Sequence, residues 1–151
     1  MNLAPYAVKD MTSGKPFQEG TYRIRIHGFE FNDVHDAAWK AAHQNSQAKD
    51  PYLQVETVIL DENSENGEVV LGRHLYTTLT FKKGGDFMLR QLCEAAGMDE
   101  EWMLVDDQGE PHWDELKDVE LMAVVTIQPE RTVGAQTYQA RNEVKKFIAS
   151  V

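Results

Sequence analysis

Between Gly67 and Gly97 the spacing of apolar side chains changes from every second residue to every third or fourth, and the change falls at Gly84-Gly85. Before it, Leu71, Leu75, Leu79 and Phe81 occupy odd positions while His74, Tyr76, Thr78, Thr80 and Lys82 occupy even ones, the alternation of a strand with one face in a core. After it, Asp86 stands at an N-cap position, Met88, Leu89, Leu92, Cys93 and Ala96 recur at helical spacing, and Gly97 supplies a C-cap. The rest of the chain has to pair with this strand or pack on this helix.

Four further strands can be read around it. Residues 21–31 alternate, with Tyr22, Ile24 and Ile26 on one face and Thr21, Arg23, Arg25 and His27 on the other, and Gly28 marks a bulge. A second strand opens at Pro51, with Leu53, Val55, Thr57 and Ile59 facing one way and Tyr52, Gln54, Glu56 and Val58 the other. The turn-rich residues 61–67 make the second and third strands antiparallel neighbours. A fourth strand spans residues 116–128, residues 131–136 form a turn, and a fifth spans residues 137–147, with Tyr138, Ala140 and Val144 on one parity. Tyr22 and Tyr138 share parity with apolar residues and are read as packed.

The connections are less regular. Residues 1–18 form an arm before a single domain over residues 19–151, and residues 32–50 are a polar connection with a helical turn or two around Trp39. Asp99, flanked by Met98 and Met103, starts one more short helical turn, and residues 106–111 are a loop. Five strands with one helix between the third and fourth is the order of the OB-fold, a mainly β, five-stranded Greek-key barrel. That fold presents its ligand face on strands two and three and on the connections joining strands one to two and four to five.

At 42% hydrophobic and 26% charged residues, 151 residues suit one soluble domain. No apolar run reaches the roughly 20 residues of a membrane helix, and residues 1–11 lack the basic head and apolar middle of a leader, so the expected location is the cytoplasm. The net charge of -10 is concentrated in residues 94–120, which hold eleven carboxylates and one base, Lys117. The remainder is neutral, so a local basic surface is compatible with the acidic total.

Several short pieces, taken in order, carry a resemblance. Glu19-Gly20-Thr21-Tyr22, Pro51-Tyr52-Leu53, Gly72-Arg73, Leu92-Cys93-Glu94-Ala95-Ala96-Gly97, Glu115-Leu116-Lys117 and Asn142-Glu143-Val144 together resemble small phage-encoded proteins of recombination gene clusters. Those proteins are regarded as single-stranded-DNA-binding OB-fold proteins. The resemblance spans residues 19–147 and implies a phage protein, acting in the host cytoplasm, that coats single strands during replication or recombination. Many single-stranded-DNA-binding proteins end in an acidic recruiting tail, whereas this sequence ends in residues 143–151 with two lysines. Any element recruiting a replication or recombination protein is therefore expected in residues 94–120.

Sequence-tolerant binding of single strands needs cations along the phosphates and aromatic faces for the bases. The candidates on outward positions are Arg23, Arg25 and His27 on the first strand, Tyr52 on the second, and His74, Tyr76, Lys82 and Lys83 on or after the third. Trp39 and Arg131 add one residue from each long connection. The competing explanation is a solvated sheet face, on which Tyr and Arg are common.

Other chemistries find little support. His27, His35, His43, His74 and His112 lack metal-ligand spacing, and Cys93, alone and on the apolar face of its helix, reads as a small buried hydrophobe. Asp107, Glu115 and Lys117 match a loose nuclease pattern, but among eleven acids such matches arise by chance. No enzyme, cofactor or metal is expected. The alternative to a nucleic-acid binder is an acidic protein-binding module or inhibitor, with residues 94–120 mimicking DNA or docking a partner.

Overall fold

The computed structural model describes residues 15–150; the rest of the expected arm, residues 1–14, lies outside them. In chain order the elements are β1 (Gly20–Asn32), α1 (Ala37–Ala42), β2 (Tyr52–Ile59), β3 (His74–Thr80), α2 (Phe87–Ala95), a 3-10 turn (Trp113–Leu116), β4 (Glu120–Gln128), β5 (Arg131–Val133), β6 (Gln136–Tyr138) and β7 (Arg141–Ile148). Five strands make one antiparallel sheet in the order β3-β2-β1-β4-β7, and β5 with β6 makes a separate hairpin. No helix among the described residues is long and apolar enough to cross a membrane.

The architecture departs from a closed five-stranded barrel with one helix. The described residues contain seven strands and two α-helices, and the edge strands β3 and β7 are not paired with each other. Part of the reason lies on the β7 edge. The Asn142 side chain accepts from the Phe17 amide at 2.9 Å and donates to the Phe17 carbonyl at 3.0 Å, while the Phe147 amide donates to Gln91 Oε1 at 3.0 Å. The Gln91 side chain thus takes up a β7 amide that a neighbouring strand would otherwise use, and the Asn142 side chain holds the segment before β1 against the same strand.

Alternation on β1, β2 and β3 puts the expected residues inside. Tyr22, Ile24, Ile26, Leu53, Val55, Thr57, Ile59, Leu75 and Leu79 are all buried, and β2 and β3 pair in one unbroken register. The β1 register to β2 shifts between Ile26 and Gly28, so His27 is the extra residue of a bulge. Beyond the bulge the inward parity moves from even to odd positions, and Phe29 and Phe31 pair with Val55 and Leu53. Phe31 then meets Phe81 and Trp113, ring centroids 5.9 and 5.7 Å away, at the end of the sheet.

Some core assignments are corrected. Leu71 is exposed, because Gly72 at φ 80° turns the chain before β3 begins at His74, and Val70 takes the place in the core. Tyr138 is exposed rather than packed, because residues 131–138 form a projecting hairpin and β7 starts only at Arg141. The expected turn at residues 131–136 is narrower, since Arg131–Val133 is strand β5 and only Gly134-Ala135 turns before β6 begins at Gln136. Phe17, in the stretch read as an arm, is 1% exposed and meets Tyr22 edge-on at 5.4 Å.

Helix α2 buries Leu89 and Leu92 against the sheet and ends as its sequence implies. The Gly97 amide donates to the Glu94 carbonyl and the Met98 amide to the Cys93 carbonyl, both at 3.0 Å, a paired closure that requires a left-handed residue at Gly97, whose φ is 87°. No neighbouring atom would meet a Cβ there. Gly97→Ala is therefore expected to cost about 1 to 2 kcal/mol through backbone strain alone. Urea unfolding measures it, and an unchanged midpoint would contradict the cap. The turn expected after Asp99 is a single reverse turn, closed by the Trp102 amide donating to the Asp99 carbonyl at 3.2 Å.

Candidate nucleic-acid interface

Strand register decides which candidate side chains meet. On the outer face Arg25, Val58 and His74 lie in one row across β1, β2 and β3, and Gly28, Glu56 and Tyr76 in the next. The bulge adds His27, whose ring meets His74 edge-on with centroids 5.7 Å apart. Arg23, Arg25, His27, His74 and Tyr76 therefore share one face.

That face is not a simple basic platform, because carboxylates share it. Arg23 pairs with Glu120 at 3.2 Å, and Arg25 Nε lies 4.0 Å from Asp118, too far for a hydrogen bond. Glu56 lies between His74, whose Nδ1 is within hydrogen-bond distance of Oε1, and Tyr76, whose hydroxyl donates to the same oxygen at 3.0 Å. Burial pushes the Glu56 carboxyl up, but the hydrogen bonds to His74 and Tyr76 and the nearby His74 and His27 rings outweigh it and hold the group below the usual carboxylate range. The same hydrogen bond and the carboxylate charge raise the Tyr76 hydroxyl. Charge compensation on this face was not visible in alternation, because the acids come from neighbouring strands and from the turn before β4.

The remaining candidates fall elsewhere. At the opposite end of the sheet Trp39 lies edge-on to Tyr52 with centroids 6.4 Å apart, stacks on His43 at 4.2 Å, and donates from Nε1 to the buried Asn32 at 2.9 Å. This arrangement folds the β1 to β2 connection back on the outer face. Lys82 and Lys83 follow β3, where Thr80 pairs with Tyr52, and both are exposed. Arg131 lies on the β5-β6 hairpin, its guanidinium 5.2 Å from the centre of the Tyr138 ring.

Two cavities adjoin this surface. The larger, of about 1010 Å³, runs between the unpaired edges of β3 and β7, and Tyr76, Arg73, Arg141, Lys145, Phe87 and Thr77 are among its lining residues. The smaller, of about 140 Å³, lies under the β5-β6 hairpin and includes Arg131 and Tyr138; Gln128 and Arg141 line both. Arg141, Lys145 and Phe87 were missed as site residues. The signal that could have found the two cations is the alternation of the last strand, in which Arg141 and Lys145 fall on the parity opposite Val144.

Other side chains singled out in the sequence make local contacts. Glu115 Oε2 accepts from Trp102 Nε1 at 2.7 Å, and among the described residues no three His, Cys, Asp or Glu side chains are grouped to hold a metal. Burial, with a contribution from Glu94, pushes the Cys93 thiol up to about 11, which keeps it protonated at neutral pH. In the acidic segment Asp106 Oδ1 accepts from the Gln108 and Glu110 amides, both at 2.8 Å, closing the loop expected at residues 106–111. A comparison with protein-family models and with curated proteins finds no match to this chain.

Proposed function

We propose that this chain binds single-stranded DNA with little sequence preference, as an OB-fold-like protein of phage replication or recombination. The observation that carries the reading is the sheet order β3-β2-β1-β4-β7 together with what its two long connections hold. One connection lays Trp39 beside Tyr52, and the other extends Arg131 over Tyr138. In an OB-fold the ligand crosses strands two and three between these two connections, and α2 follows β3 in the chain as the OB-fold helix does. Stacking on exposed aromatic rings and cations on phosphates need no base-specific hydrogen bonds, which accounts for the absence of sequence preference. The reading is of a binder without catalysis, cofactor or metal.

Fluorescence anisotropy of labelled oligo-dT tests it. Binding is expected at low salt, with an affinity that falls as salt rises. No binding at tens of micromolar protein would reject the reading and favour the acidic segment, residues 94–120, as a protein-docking surface.

A further inference from the structure

We infer that the groove between β3 and β7, rather than the compensated outer face of β1, is the main channel for the single strand, with Arg141 and Lys145 as phosphate ligands and Tyr76 and Phe87 as stacking surfaces. The inference rests on the proposed single-strand binding and identifies its path.

Charge is the first argument. Arg141 and Lys145 line the groove and form no ion pair with any described residue, whereas Arg23, Arg25 and His74 on the outer face each have a carboxylate partner. Glu143 is the one carboxylate in the lining, set against three cations with Arg73. In a chain of net charge -10 such a lining selects an anionic ligand.

Shape and hydrogen bonding give the second. Every neighbouring pair in the sheet is antiparallel, so the two edge strands run the same way and form the walls of a groove suited to an extended chain. Thr77 lies in its wall, 9% exposed, and its hydroxyl has no hydrogen-bond partner. A buried hydroxyl without a partner destabilises the free protein, and rotation of the Thr77 side chain toward the groove would let a phosphate or sugar oxygen satisfy it. Tyr76 and Phe87, 59% and 67% exposed, present rings along the same lining. Arg141 and Gln128 also line the cavity under the hairpin, so the groove adjoins the place where Arg131 and Tyr138 meet.

The test uses labelled oligo-dT with the whole chain and three variants. Arg141→Ala/Lys145→Ala is expected to weaken binding about tenfold or more and to make the salt dependence shallower by about 0.7 in log-log slope for each lost contact. Lys146→Ala, an exposed lysine on the same strand outside the lining, is expected to leave affinity near wild type. Thr77→Val keeps the shape and removes the hydroxyl, so it should weaken binding several-fold while the melting temperature holds or rises. Wild-type binding with an unchanged Arg141→Ala/Lys145→Ala variant would overturn the groove and leave single-strand binding standing, and so would an equal loss in Lys146→Ala. Absence of wild-type binding would overturn both. Capture of a poly-glutamate peptide in its place would assign the groove to an acidic chain.

Discussion

Phe17→Ala is expected to destabilise the protein by about 3 to 5 kcal/mol, the range for removing a fully buried aromatic ring. The ring is 1% exposed, lies edge-on to Tyr22, and carries the Arg73 guanidinium 5.0 Å from its centre. Truncation leaves a void beside Tyr22 and deprives Arg73 of the face it stacks on. Arg73 also donates to the Lys15 carbonyl at 3.1 Å, so the loss extends to the anchoring of the chain that leads into β1. Urea unfolding of the variant measures the effect. A cost below about 1 kcal/mol would show that the segment before β1 is not part of the core.

Leu79→Ala and Tyr76→Ala, three residues apart on β3, are expected to separate folding from binding. Leu79 is fully buried, so truncation should cost about 2 to 5 kcal/mol through lost burial and the cavity left behind. Tyr76 is more than half exposed, and its side-chain hydrogen bond, to Glu56, is itself on the surface. Its loss should cost little stability but remove about 1 to 3 kcal/mol of stacking with a base. Thermal melts and oligo-dT titrations on the two variants make the comparison. A destabilised Tyr76→Ala beside a silent Leu79→Ala would mean that β3 faces the other way.

Alternation was enough to orient β1, β2 and β3, because Tyr22, Ile24, Leu53, Val55, Leu75 and Leu79 each recur at strict spacing two on a half-buried sheet. It failed where the backbone departs from that period. Gly72 turns the chain and exposes Leu71, and the β7 register to β4 shifts between Val124 and Val125, so that Val144 and Phe147, three residues apart, are both buried. The hairpin at residues 131–138 also escaped, since its strands are three residues each and wholly exposed, with no buried face to impose a pattern. For the candidate site, the outward placement of Arg23, Arg25, His27, His74 and Tyr76 was legible, while the pairing of Arg23, Arg25 and His74 with Glu120, Asp118 and Glu56 was not. Those pairs depend on cross-strand register, which single-strand patterns do not encode.

The position of β1 also bears on how the chain acquires its structure. The β2-β3 and β4-β7 pairs join strands close in sequence, but Gly20 of β1 pairs with Val125 of β4, closing a loop of roughly a hundred residues. Non-local pairing of this kind slows folding to the millisecond-to-second range typical of small β proteins. During synthesis β1, β2 and β3 leave the ribosome well before β4, so the β4-facing edge of β1 stays unpaired while the intervening residues are translated. Arg23 and Arg25 lie along that interval of β1, and their charges oppose edge-to-edge association of nascent chains until Glu120 and its strand arrive.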